Sequence, residues 1–222
     1  MIPVYDTVRS HKFPIVTVSL IAANVLVFLY EIQMIDSELQ GLVFTWGLIP
    51  SHLWSDPTST WVGIFTAMFL HGGWFHLISN MWIFLIFGRN VEARMGSIRF
   101  LIFYLLAGAA AGLLQSYVLP SSTLPMIGAS GAIAGVLGAY LILFPGSRIA
   151  SLVPIFFIFT LVEIPAFIFL LFWFVSQLYS GLFAIQGSAG SGIAWWAHIG
   201  GFVFGLVMVA FFTIHRKAVY RN

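Results

Sequence analysis

Six apolar runs, each near 20 residues long, limit this chain more than any other feature. They fall at about residues 13–30, 74–87 with apolar residues before it, 100–119, 126–144, 165–185 and 194–214. A hydrocarbon core of about 30 Å needs about 20 helical residues to cross it. Inside lipid every backbone polar group must be satisfied internally, which such runs achieve as helices. Composition agrees. Sixty per cent of the residues are apolar and only 7% are charged, against about 25% charged in a soluble domain. The chain therefore reads as an all-α polytopic membrane protein, a bundle of six transmembrane helices.

The basic residues orient that bundle. With six spans, all nine lysines and arginines fall on one side: Arg9 and Lys12 before the first run, Arg89, Arg94 and Arg99 between the second and third, Arg148 after the fourth, and Arg216, Lys217 and Arg221 after the sixth. The opposite side carries Glu31, Asp36, Glu38 and Asp56. By the positive-inside rule both termini are cytoplasmic. A five- or seven-span arrangement breaks this segregation. The expected organisation is a cytoplasmic tail over 1–12, a membrane domain over 13–214 and a second cytoplasmic tail over 215–222.

Two segments are not expected to span. Residues 31–60 form a long outer loop with Phe44, Trp46, Leu48, Leu53 and Trp54 among polar residues. Tryptophan favours the membrane interface, so this loop is expected to lie there. Residues 149–162 are apolar but short, and Glu163 with Pro165 reads as the start of the fifth helix at its inner end.

Several function classes drop out. The net charge of +2 comes from scattered residues, not a phosphate-binding stripe. With no cysteines there is no thiolate nucleophile or zinc–thiolate site. No internal repeat is evident, unlike many transporter folds. The first twelve residues lack the apolar core and cleavage site of a signal peptide, so the first run is expected to stay as an anchor.

Three polar sites share one depth. Ser130, His198 and the pair His76 and Asn80 each sit near the outer start of an inward-running helix. Eighteen residues separate Ser130 from Arg148 and His198 from Arg216, and 13 separate His76 from Arg89. These are depths of about 27, 27 and 20 Å. Polar groups placed so in lipid normally face a bundle interior or a wet cavity. Small residues provide the means of approach. Ser130, Ala134 and Gly138 form one helical stripe; His198, Gly201 and Gly205 form another. Packing one stripe on the other brings the imidazole beside the hydroxyl, as a base-activated serine requires. His76 and Asn80, four apart, share a face and can donate to an oxyanion together with the Ser130 N–H. No carboxylate is placed to orient His198, which indicates a dyad. A serine in a membrane helix usually bonds only its own backbone. The argument therefore rests on the shared depth and the two stripes together.

The blocks 71-HGGWFHLISN-80, 88-GRNVEARMGS-97, 128-GASG-131 and 197-AHIGGFVFG-205 resemble those of the rhomboid family of intramembrane serine proteases. The resemblance runs from about residue 61 to residue 205. It implies a six-helix fold, Ser130 as nucleophile, His198 as general base, and His76 and Asn80 around the oxyanion. It gives His71 a structural role beside Gly128, Gly131, Gly201 and Gly205, and places Glu92 and Arg94 in a polar cluster at the inner helix ends. It implies neither a metal nor any other cofactor. Two family features are missing. Some members have a tryptophan–arginine pair in the outer loop, where this chain has Trp61, Val62 and Gly63. Some have an aromatic ring four residues after the serine, where this chain has Ala134.

The expected function is an intramembrane serine endopeptidase that cuts single-pass transmembrane proteins near the outer leaflet, from within a prokaryotic plasma membrane. The alternative is a rhomboid-like pseudoprotease that binds transmembrane clients without cutting them. A metal site of His71, His76 and His198 is a third arrangement, less favoured because no carboxylate accompanies it. The phenylalanines of the fifth run (Phe167, Phe169, Phe172, Phe174) are candidates to border the substrate path.

Overall fold

A computed structural model describes residues 1–8, 10, 12–155, 158–185 and 193–213. Arg9, Arg216, Lys217 and Arg221, and with them the C-terminal tail and the last residue of the sixth run, lie outside the described residues.

The chain opens with strand β1 (Ile2–Asp6) and helix α1 (Ile15–Glu31). Four short helices follow: α2 (Asp36–Trp46), α3 (Pro50–Ser55), α4 (Pro57–Thr60) and α5 (Gly63–Thr66), the last running into a 3-10 turn at Ala67–Phe69. Next come the long helices α6 (Trp74–Met95) and α7 (Ser97–Val118), then α8 (Ser130–Leu143). A hairpin of β2 (Arg148–Ile155) and β3 (Ile158–Pro165) leads into α9 (Ala166–Ile185) and α10 (Trp195–Phe212). Each of the six apolar runs holds one helix: α1, α6, α7, α8, α9 and α10.

Their lengths differ. By length and composition α7, α9 and α10 suffice to cross a membrane. Helix α6 qualifies jointly with the helical segment over 57–69, across a bend of 79°. Helices α1 and α8 are shorter, at 17 and 14 residues. The shortness of α8 follows from its place. Every residue from Gly131 to Tyr140 is buried, so it is the central helix, packed by α6, α7, α9 and α10, while α1 packs on α6 and α7. It also begins at Ser130, later than the expected 126. Met126 instead pairs with Leu48 in an isolated bridge, and Gly128 takes a φ of +119° that favours glycine.

The all-helix expectation is incomplete, because the three strands form an antiparallel sheet in the order β1-β2-β3. Arg148 pairs with Pro165 and Ile155 with Ile158 along the hairpin, while Asp6 pairs with Ile149. Residues 149–164 are rich in isoleucine, phenylalanine and valine, which suit strands. Glu163 accordingly lies on β3 opposite Ala150, and α9 begins three residues later at Ala166. The N-terminal segment is not a free tail. It supplies an edge strand and a buried carboxylate.

That carboxylate is Asp6. Its oxygens accept from Arg89 Nη2 at 2.8 Å, Asn90 Nδ2 at 2.6 Å and the Tyr140 hydroxyl at 2.7 Å. Removing one partner of a buried ionic cluster leaves the others unsatisfied. We therefore expect Asp6→Ala to lower unfolding stability by about 3 kcal/mol, measured by denaturant titration in detergent micelles.

Helix α6 runs eight residues past the expected end of its span, to Met95. Glu92 thus lies on the helix, and Gly96, at φ +82°, ends it. The Glu92 carboxylate accepts from the backbone N–H of Val16 at 3.0 Å, from the N–H and hydroxyl of Thr17 at 2.8 Å each, and from Ser97 Oγ at 2.7 Å. Helix α1 has no capping side chain of its own. Glu92 satisfies its first amides from across the bundle, where the positive end of the helix dipole favours a carboxylate. Arg94 lies over the Phe144 ring, 5.8 Å from its centroid. The two residues tie the same end of α1, α6, α7 and α8.

In the segment over 31–60 Leu48 and Leu53 are buried in a small cluster with Ala67, while Phe44, Trp46 and Trp54 are more than 45% exposed. The loop thus has an inward face on the bundle and an aromatic outer face. Trp54 Nε1 donates to the Ser116 carbonyl at 2.8 Å, which anchors α3 on α7.

Candidate active site

Helices α8 and α10 cross at backbone contact. A methyl group built on Gly201 would lie 2.0 Å from the Gly131 carbonyl oxygen, and one on Gly205 would lie 2.0 Å from that of Gly135. One on Gly138 would lie 2.2 Å from the Phe202 carbonyl oxygen. Small residues admit this approach. The expected stripe on α10 is present at the contact. On α8 the contact is made by Gly131, Gly135 and Gly138; Gly138 belongs to the expected stripe, while Gly131 and Gly135 stand one residue on from Ser130 and Ala134. This shift has a chemical consequence. It leaves the Ser130 side chain beside the contact and free to reach a cavity, where a position in the contact would bury it against backbone.

The start of α10 is fixed by α7. Its N-cap, Ala194, offers no side-chain acceptor. Gln115 Oε1 takes that role by accepting from the Ala197 N–H at 3.1 Å. The next residue is His198. Its Nε2 lies 2.8 Å from Ser130 Oγ, within ordinary hydrogen-bond range. Its Nδ1 lies 2.7 Å from Oε1 of Gln177 on α9. Trp173 of α9 and Trp195 of α10 flank the imidazole, with ring centroids at 5.9 and 6.2 Å. The Trp173 ring is tilted by 37° and the Trp195 ring is nearly perpendicular. These groups surround His198 where Ala134 offers no ring.

Ser130 and His198 open onto a cavity of about 420 Å³ that His76, Ser79, Asn80 and Gly128 also line. His76 and Asn80 project from the first two turns of α6, whose start is set by Gly73 at φ +148°. They converge on Gly128. A methyl group built there would lie 2.7 Å from His76 Nε2 and 3.7 Å from Asn80 Nδ2. Asn80 is 8% exposed, and its Nδ2 has no hydrogen-bond partner among the described residues. A buried donor without an acceptor costs free energy, and this one belongs to a residue lining the cavity that holds Ser130. Ser130 is the first residue of α8, so its backbone N–H has no partner within the helix. Met68, Gly108, Ala111 and Ala132 add apolar wall to the cavity.

His71 lies in a second layer. Its ring meets the His76 ring edge-on at 5.0 Å, and its backbone N–H donates to the Glu31 carboxylate at 3.2 and 3.3 Å. Among the described residues no group of three or more His, Cys, Asp or Glu side chains is placed to hold a metal ion. The structure thus brings together Ser130, His198, His76 and Asn80, with His71 behind them and the four glycines at close approaches. Glu92 and Arg94 lie in the separate cluster at the other end of α6.

Sequence reasoning missed Gln177 and Gln115. Each is the kind of polar residue that should face the interior of a membrane bundle. That rule was the available signal for both.

A family model described as the Rhomboid domain matches residues 58–215, well over half of the chain. Among relatives, YdcA of Bacillus subtilis (strain 168) is 30% identical over 125 residues, covering 51% of this chain and 62% of that protein. Rhomboid protease GluP, also of Bacillus subtilis (strain 168), is 44% identical over 81 residues, covering 36% of this chain and 15% of its own length. RHOMBOID-like protein 6, mitochondrial, of Arabidopsis thaliana is 41% identical over 78 residues, with 35% of this chain and 25% of the relative covered. In each case the chain spans less than two thirds of the relative's length. A polytopic helical membrane protein with a Rhomboid domain over most of its length, this chain belongs to the rhomboid family.

Proposed function

We propose that the protein is an intramembrane serine endopeptidase. The observation that carries this reading is the 2.8 Å contact between Ser130 Oγ and His198 Nε2, at the edge of a cavity that also holds Asn80 and its unpaired amide. His198 takes the Ser130 proton as the oxygen attacks a peptide carbonyl. The developing oxyanion takes hydrogen bonds from His76, Asn80 and the Ser130 N–H. His198 then returns the proton to the leaving amine, and water hydrolyses the acyl-enzyme. Ser130, His198, His76 and Asn80 carry neutral or titratable polar groups and no fixed charge. The stabilisation therefore comes from oriented dipoles and from the imidazolium that forms at His198, in a low-dielectric site where both act most strongly.

The substrates we assign are single-pass transmembrane proteins. Backbone hydrogen bonds shield a helical peptide bond, so the cut falls where the segment is locally unwound near the outer leaflet. Of the four α9 phenylalanines considered for a substrate path, Phe167 and Phe172 are exposed, whereas Phe169 is buried against Phe87 and Phe174 stacks on Phe202. We place the protein in a prokaryotic plasma membrane with six spans and cytoplasmic termini, a reading supported by the segregation of all nine basic residues.

The test is cleavage of a transmembrane reporter in proteoliposomes. Parent protein should cut it, and His198→Ala should reduce cutting by about a thousandfold or more. Retention of the reporter without cleavage by a folded parent, unchanged in Ser130→Ala, would favour the client-binding pseudoprotease instead.

A further inference from the structure

We propose that Gln177 is the positioning residue for His198, selecting its tautomer through a neutral amide held in place by Ser176; the proposal rests on the reading of Ser130 and His198 as nucleophile and base. Gln177 is 7% exposed on α9, and its two amide atoms are committed to different partners. Nε2 donates to Ser176 Oγ at 3.0 Å, and Ser176 Oγ donates to the Trp173 carbonyl at 2.6 Å. The Ser176 proton is thereby used, so its oxygen faces Gln177 as an acceptor and requires the NH2 end of the amide. The carbonyl end, Oε1, is turned to His198 Nδ1 at 2.7 Å. A carbonyl oxygen only accepts. It therefore fixes the proton of the neutral imidazole on Nδ1 and leaves the Nε2 lone pair directed at Ser130 Oγ, 2.8 Å away. That is the tautomer a general base needs. A wrongly presented tautomer is what disables a serine protease whose orienting carboxylate becomes an amide free to donate. Here the neighbouring hydroxyl prevents that reversal.

The arrangement also suits its surroundings. A carboxylate in this position would be a buried charge within a membrane bundle, which is costly. A neutral amide orients the ring without that cost, and Trp173 and Trp195 restrict the ring's swing from two other directions.

Gln177→Met and Gln177→Glu test the proposal. Methionine fills a similar unbranched volume without a strong acceptor; glutamate keeps the acceptor. Two readouts are taken on each folded variant in detergent. One is the rate of fluorophosphonate labelling. The other is the nitrogen NMR signature of the His198 ring in histidine-labelled protein, assigned by its disappearance in His198→Ala. The expected result is a proton held on Nδ1 in the parent and in Gln177→Glu, a tautomer mixture in Gln177→Met, and labelling slowed about tenfold in Gln177→Met. An unchanged tautomer in Gln177→Met overturns the proposal, whether or not labelling slows, since slowing without it reports packing only. A parent that does not label, with a tautomer that still follows Gln177, overturns the protease reading and leaves the positioning assignment standing.

Discussion

Ser130→Ala removes reporter cleavage to below detection and leaves the fold intact. The expected loss is about ten-thousandfold or more, because the residues of a nucleophile–base pair act as a unit and neither works alone. What survives in such a variant elsewhere is catalysis by oxyanion donors with water as nucleophile. Here the donors would be His76 and Asn80. Stability should change by no more than about 0.5 kcal/mol. Ser130 sits half-buried at a cavity edge, and among the described residues its hydroxyl bridges no other element than α10. The two readouts, cleavage rate and unfolding midpoint, thus separate chemistry from folding. An equally inactive Ser130→Ala that had also lost several kcal/mol would point to a structural serine.

Gly201→Ala is the second large effect, and it works through distance. The added methyl group would lie 2.0 Å from the Gly131 carbonyl oxygen and 3.2 Å from the Gly135 nitrogen, both backbone atoms that no side-chain rotation can move. The helices must separate by about 1 Å or more, at a cost of about 3 kcal/mol. Gly131 is next to Ser130 and Gly201 is one turn from His198, so the separation falls directly on the 2.8 Å contact. A misplacement of about 1 Å costs about a hundredfold in rate. Cleavage should therefore fall by at least that factor even at temperatures where the variant stays folded. Gly41→Ala is the control. A methyl group there meets nothing within 4 Å, and alanine in the middle of α2 should be neutral or stabilising by about 0.5 kcal/mol.

The sequence made the helices and much of the site readable for physical reasons. Apolar runs of membrane length leave the backbone little choice but helix, so α1, α6, α7, α8, α9 and α10 could be placed. Counting inward to the flanking basic residues gave Ser130, His198 and His76 a similar expected depth, and the structure gathers them at one cavity. Rotation about a helix axis is harder to read. Ser130, Ala134 and Gly138 and the contact actually made by Gly131, Gly135 and Gly138 are neighbouring stripes on one helix, and both are composed of small residues. The sheet was hidden for a different reason. Residues 149–162 read as apolar but too short to span, nothing in them names a pairing partner, and the five residues of β1 have no periodicity long enough to register. Asp6 lies in the segment expected to be a tail, and its partners, Arg89, Asn90 and Tyr140, come from helices distant in the chain. Gln177 lay beyond reach in the same way, since the register of α9 against α10 is set by packing.

The most direct measurement of the central claim is labelling of the purified, folded protein with a fluorophosphonate, followed by identification of the modified peptide by mass spectrometry. The account predicts a single adduct on Ser130, absent from His198→Ala although that variant keeps the serine. Labelling at another residue, or labelling of Ser130 that persists at the parent rate in His198→Ala, would contradict it.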